Sequence, residues 1–192
     1  AIARILLLQP SWATSTAVAA SAASWGAGML LFLLLAPVLA WRLLTGPPPV
    51  PAQAAGWWIW LAPAGAGGLG AIALSRMAGV VAPGGSAPAL TTAGLLAATA
   101  LWGFGVWWAL LAGRVLRTVA TTHGGLGFHL GSWGFVFPTA ALAALTIELG
   151  RSWSSPVLSV VGALLWVAAL VVWGRLAFQT VKGVRDRTLL ER

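Results

Sequence analysis

Five long apolar stretches, separated by short segments rich in Gly, Pro or charge, run through this 192-residue chain. They lie at about 22–44, 55–77, 89–113, 129–149 and 156–178. Each supplies the roughly 20 residues that a helix needs to cross a hydrocarbon core ~30 Å thick. The runs are helical in length, twice that of a membrane β-strand, so the pattern predicts a helical bundle rather than a barrel. Ala1 to Leu8 reads as the stub of another helix ending at Gln9-Pro10, and residues 10–21, rich in Ala, Ser and Thr, read as a connector. Thr45-Gly46-Pro47-Pro48-Pro49-Val50-Pro51 and the Gly/Pro-rich 78–88 read as turns. Thr118 to Phe128 reads as a connector, and 179–192 as a basic tail.

Composition agrees: 59% of the residues are hydrophobic and 7% charged, against roughly 25% charged in a soluble domain. The formal charge of +8 would suggest nucleic acid on a soluble protein. Here the bases stand at the ends of apolar runs, where they set topology, so the partner is the lipid bilayer and no nucleic acid is expected. Arg42, Arg114, Arg117, Arg175, Lys182, Arg185, Arg187 and Arg192 fall on one side of an alternating bundle, and Arg4, Arg76 and Arg151 on the other. The bias predicts a cytoplasmic C-terminus. The chain opens on Ala1 inside an apolar run, and it is expected to be part of a longer gene product.

Enzymatic chemistry has little to work with. Asp186 and Glu191 stand in the tail, which leaves Glu148 as the carboxylate near a span, and paired acids are absent. An interfacial ion pair with Arg151 is the expected role for Glu148. His123 and His129 have no acid nearby; no metal or other cofactor is expected, and a haem-binding anchor that does not transport is the alternative to a transporter. Buried polar groups in the spans are hydroxyls such as Ser132 and Thr139, which could donate to an anion without trapping it. The most informative stretch is His129 to Leu142, an apolar run broken by Phe137-Pro138. A proline removes a donor and bends a helix, and freed backbone groups in lipid must face protein or water. Trp133, Phe137, Ala141, Ala144 and Glu148 share one helical face. A packed, kinked helix and a gated conduit both fit that spacing. In the second run Leu61-Ala62-Pro63-Ala64-Gly65-Ala66-Gly67-Gly68-Leu69-Gly70 allows either close packing through small residues or a bend around a conduit.

Ser132-Trp133-Gly134-Phe135-Val136-Phe137-Pro138-Thr139-Ala140-Ala141-Leu142 resembles the penultimate-helix motif of the tellurite-resistance/C4-dicarboxylate transporter family, the TehA-like or slow-type (voltage-dependent) anion channels. Trp25-Gly26-Ala27-Gly28-Met29, Leu61-Ala62-Pro63-Ala64 and Leu101-Trp102-Gly103-Phe104-Gly105 resemble its sixth, seventh and eighth helices in order. The resemblance implies an all-α membrane fold of ten helices in five hairpins, with odd-numbered helices around a pore. This chain would run from the end of helix five through helix ten, five complete helices and a stub. It implies a homotrimer in the plasma (inner) membrane that passes small anions: monovalent anions or organic acids such as C4-dicarboxylates, with sulfite and tellurite also open. Phe137 would close the pore. Trp133, Pro138, Ala141, Ala144, Pro63 and Gly67 are the pore-lining candidates.

Overall fold

The computed structural model describes residues 11–46, 49–81 and 85–186. The expected stub at 1–8, together with Arg4, Arg187, Glu191 and Arg192, lies outside them. Among the described residues every regular element is helical: α1 (Ser11–Thr45), α2 (Ala54–Ile59), α3 (Leu61–Val81), α4 (Ala87–Thr122), α5 (Val136–Ser152) and α6 (Pro156–Arg185). A 3-10 turn at Pro51–Gln53 leads into α2, and a 3-10 segment at Leu130–Phe135 leads into α5. Five spans are long and apolar enough to cross a bilayer, so the protein is a multi-pass, all-α membrane protein.

α6 runs to Arg185, so 179–185 are helix and not tail, and two further boundaries correct the sequence reading. Residues 11–21 are not a connector but the first turns of α1, and α4 continues to Thr122 instead of ending near Gly113. The same chemistry explains both. Ala favours helix strongly, and the Thr hydroxyls bond back to helix carbonyls instead of competing with them: Thr16 to Trp12 at 2.8 Å and Thr118 to Arg114 at 3.1 Å. With 35 and 36 residues, α1 and α4 extend about 52–54 Å at 1.5 Å per residue, beyond the hydrocarbon core.

α3 and α5 form the centre. α3 packs on α1, α4 and α5, while α5 packs on α3, α4 and α6. Successive close approaches ascend together along α3 and α5, Gly65 at Ala141 and Gly68 at Leu145, so these two helices are parallel. Gly94 meets Ser75 and Gly105 meets Ala64, which sets α4 antiparallel to α3. Gly150 meets Ser159 and Gly162 meets Ile147, which does the same for α6 and α5. The glycines of α3 therefore serve close packing: a Cβ on Gly65 would stand 2.6 Å from the Ala141 carbonyl carbon and the Leu142 nitrogen. This topology collects Arg42, Arg114, Arg117, Arg175, Lys182 and Arg185 towards one end of the bundle, and Arg76, Glu148 and Arg151 at the other.

Tryptophan does more than mark interfaces. The Trp57-Trp58-Ile59-Trp60 cluster packs between helices: Trp57 is buried and stacks on Trp108 at 6.4 Å, and Trp60 and Phe104 both contact Phe32 of α1. Indole N–H groups cross from helix to helix, Trp25 to the Gly67 carbonyl at 2.9 Å, Trp102 to the Thr146 hydroxyl at 2.9 Å and Trp108 to the Trp57 carbonyl at 2.8 Å. A wide apolar body with one donor suits a bundle that has no hydrophobic drive between its helices in lipid.

Candidate functional site

The break in the fourth run sits upstream of the expected place. Pro138 is the third residue of α5, where the backbone N–H has no helical partner in any case, so the proline bends nothing. The discontinuity is the 3-10 segment before it. Pro63 has the same position in α3, three residues after the turn at Trp60 that separates it from α2. Both central helices thus begin afresh at the same level, with a proline in the first turn.

Three contacts of α3 fix its free face. Gly65 and Gly68 meet α5, Gly67 and Gly70 meet Met29 and Trp25 of α1, and Ser75 meets Gly94 of α4. Ala62 and Ala66 are left on the remaining side, and Ala73, seven residues on, stands at its border with the cleft against α1; Ala66 and Ala73 are exposed. On α5 the contacts to α3 run through Ala141 and Leu145, and those to α6 through Ile147 and Gly150. Phe137, Ala144 and Glu148 remain on the free side, adjoining that of α3. The two faces form one wall of alanines and the half-buried Leu69, with a single aromatic ring, Phe137, 61% exposed.

Polar groups close the wall at its far end. Arg76 Nη2 donates to Glu148 Oε1 at 2.6 Å, bridging α3 and α5, while Arg151 Nη1 lies 3.9 Å from the other carboxylate oxygen. Glu148 thus keeps the expected pair with Arg151 and gains a closer one with Arg76, because parallel packing brings Arg76 across the helix pair. Glu148 lies ~16 Å along α5 from Phe137.

Of the predicted lining residues, Phe137 and Ala144 share this wall, with Pro63 half-buried at its edge. Ala141 is buried against Gly65, Pro138 is fully buried, and Gly67 faces Met29 and Leu101 behind the wall. Trp133 points to the outer helix, its Nε1 donating to Thr180 Oγ1 at 3.1 Å. Thr139 cannot offer its proton to an anion, since Oγ1 donates to the Phe135 carbonyl at 2.7 Å and accepts from Trp58 Nε1 at 2.8 Å. The Ser132 hydroxyl accepts from the His129 N–H at 3.2 Å. The His129 ring caps the 3-10 segment, and His123 Nδ1 lies 3.0 Å from the Val119 carbonyl; these are local structural roles.

Ala62, Ala66 and Ala73 escaped the sequence reading, although a signal existed. Trp58-Ile59-Trp60-Leu61-Ala62-Pro63 and Trp133-Gly134-Phe135-Val136-Phe137-Pro138 are two copies of one pattern, and Ile72, Leu74 and Arg76 recur as Ile147, Leu149 and Arg151. The repeat sets Ala62 in the place of Phe137. Its leading tryptophans act alike, each donating to a threonine of another helix. Trp58→Phe is expected to lower stability by about 1 kcal/mol, one interhelical hydrogen bond, read as a lower unfolding temperature in detergent. An unchanged temperature would show that the bond contributes nothing net.

Residues 1–181 match the family described as voltage-dependent anion channel. Two uncharacterized transporters of Methanocaldococcus jannaschii are similar to the chain. One is 27% identical over 162 residues, 83% of this chain and 44% of that protein. The other is 27% identical over 169 residues, 87% of this chain and 46% of that protein. A sulfite efflux pump of Trichophyton rubrum is 28% identical over 80 residues, 42% of this chain and 20% of the pump. The chain thus spans about half the length of the two transporters. No solved structure shows a significant match.

Proposed function

This chain belongs to the voltage-dependent anion channel family, and from that premise we propose that its α3–α5 face is part of the wall of a transmembrane anion pathway. The observation that carries the reading is the wall itself: alanines at helical spacing on two parallel central helices, one exposed ring at Phe137, and Glu148 held by Arg76 and Arg151 at the opposite end. Small side chains leave room for an ion. The ring narrows the passage, and an apolar constriction resists a hydrated ion by dewetting. Ala62, Ala66, Ala73 and Ala144 line the path; Gly67, Pro138 and Ala141 hold the helices that form it.

The cargo in this reading is a small anion, a monovalent ion or a small organic acid, with sulfite, C4-dicarboxylates and tellurite within the same class. Similarity to a sulfite efflux pump supports the class. Six bases gathered at one end of the bundle raise the local anion concentration there. That end faces the cytoplasm of a plasma (inner) membrane by the positive-inside rule. Assembly as a homotrimer belongs to the same proposal.

The Arg76–Glu148 pair tests the path through its charge. Arg76→Gln removes the nearer of the two cations beside Glu148, leaves only Arg151 at 3.9 Å, and is expected to lower anion flux in the complete native protein. Glu148→Gln leaves Arg76 uncompensated and is expected to raise it. Each change is up to roughly fivefold, and is reduced at high salt. Arg76 is 53% exposed in its side chain, so its loss, with Arg151 still beside Glu148, changes stability by no more than about 1 kcal/mol. Flux assays in liposomes decide; equal effects of the two substitutions would remove the pair from the path.

A further inference from the structure

A second feature lies on the other side of α5. Between the C-terminal halves of α4 and α6, over the 3-10 segment, is an open groove of about 790 Å³. Phe135 and Thr139 line it, while Phe137, two residues from each, points to the opposite face. The groove is therefore separate from the proposed anion path.

Its floor along α6 is one helical stripe. Leu165, Ala168, Val172 and Leu176 recur at three and four residues and cover ~16 Å of helix. Leu116 of α4 and Phe128 of the connector close the other side. The Ser132 and Thr139 hydroxyls also line the groove, each already hydrogen-bonded within the protein, while Arg175 and Gln179 stand one turn apart at the basic end of the bundle. No hydrogen bond or ion pair holds Arg175 among the described residues. An apolar slot of this length matches half of a ~30 Å hydrocarbon core, the depth reached by one acyl chain. A cation at its interfacial end matches the phosphate of an anionic headgroup.

We infer that this groove holds one anionic phospholipid, with an acyl chain along Leu165–Leu176 and its headgroup phosphate on Arg175 and Gln179. The guanidinium offers paired donors to phosphate oxygens and the Gln179 amide adds one more. Free phosphate has the same charge but leaves the apolar stripe unused, so the acyl chain distinguishes the two sources.

Native mass spectrometry of the complete native protein in mild detergent provides the test, with dioleoylphosphatidylglycerol, dioleoylphosphatidylcholine and inorganic phosphate as probes. The expected result is one phosphatidylglycerol retained per chain in preference to phosphatidylcholine, and not displaced by millimolar phosphate. Arg175→Gln lowers that preference roughly fivefold. Ala168→Trp, which fills the slot and keeps the cation, abolishes retention at an unchanged unfolding temperature. Equal retention of the two lipids, an Arg175→Gln protein with its preference intact, or displacement by phosphate would each overturn the inference. So would a change in subunit number with Ala168→Trp, since a second copy would then occupy the groove.

Discussion

Phe137→Ala is expected to raise anion flux through the complete native protein about tenfold, equivalent to ~1.4 kcal/mol off the barrier. The ring is 61% exposed on a wall otherwise built of alanine and the half-buried Leu69, so removing it widens the passage at one level and leaves the helices that frame it in place. Pro138, fully buried beside it, and the α3–α5 contacts at Gly65 and Gly68 are untouched. A half-exposed side chain forfeits little packing, which predicts near-native stability and separates this effect from unfolding. Phe137→Leu keeps an apolar obstruction of smaller girth and is expected to give an intermediate flux. Chloride or sulfite flux into proteoliposomes is the measurement. Wild-type flux in Phe137→Ala, with the protein folded, would take the gating role away from this ring.

The largest structural effect is expected at Gly65. Its Cβ position stands 2.6 Å from backbone atoms of Ala141 and Leu142. Backbone cannot rotate out of the way as a side-chain tip can. Gly65→Val therefore forces the two central helices apart, at a cost of roughly 2–3 kcal/mol. Because α3 and α5 carry the proposed wall between them, flux should change together with stability. Gly103→Ala is the matching control: nothing lies within 4 Å of its Cβ position, so the substitution should stabilise α4 by up to about 1 kcal/mol through helix propensity alone. Thermal unfolding in detergent of both variants tests the contrast. Equal behaviour of the two would mean that the α3–α5 approach is not a stability determinant.

Several positions misread in the sequence share one cause. A proline in an apolar run signals that a helix is interrupted, but not on which side of the proline the interruption falls. At both Pro63 and Pro138 it falls before, and the residue sits harmlessly in a first turn. Spacing also put Trp133, Phe137, Ala141 and Ala144 on one face of a continuous helix. The 3-10 segment ending at Phe135 rotates Trp133 away from that face, and its indole bonds to α6. Glycine gave the opposite difficulty. Gly65 and Gly67 are alike in sequence, yet one faces α5 and the other α1, because a two-residue step turns a helix by ~200°.

From the sequence alone come the five spans, the all-helical class, the family and the alternation of basic ends, since length, hydropathy and terminal charge are local properties that lipid reads directly. Phe137 could be singled out as a ring beside a break for the same reason. Tertiary structure alone decided which helix faces stay uncovered. It joined Arg76 to Glu148, assigned the indole donors to their partners, and opened a groove above Leu165–Leu176. These features depend on the parallel register of α3 against α5 and on how closely glycine lets them approach. Register between distant segments is a property of packing, and no single run of residues contains it.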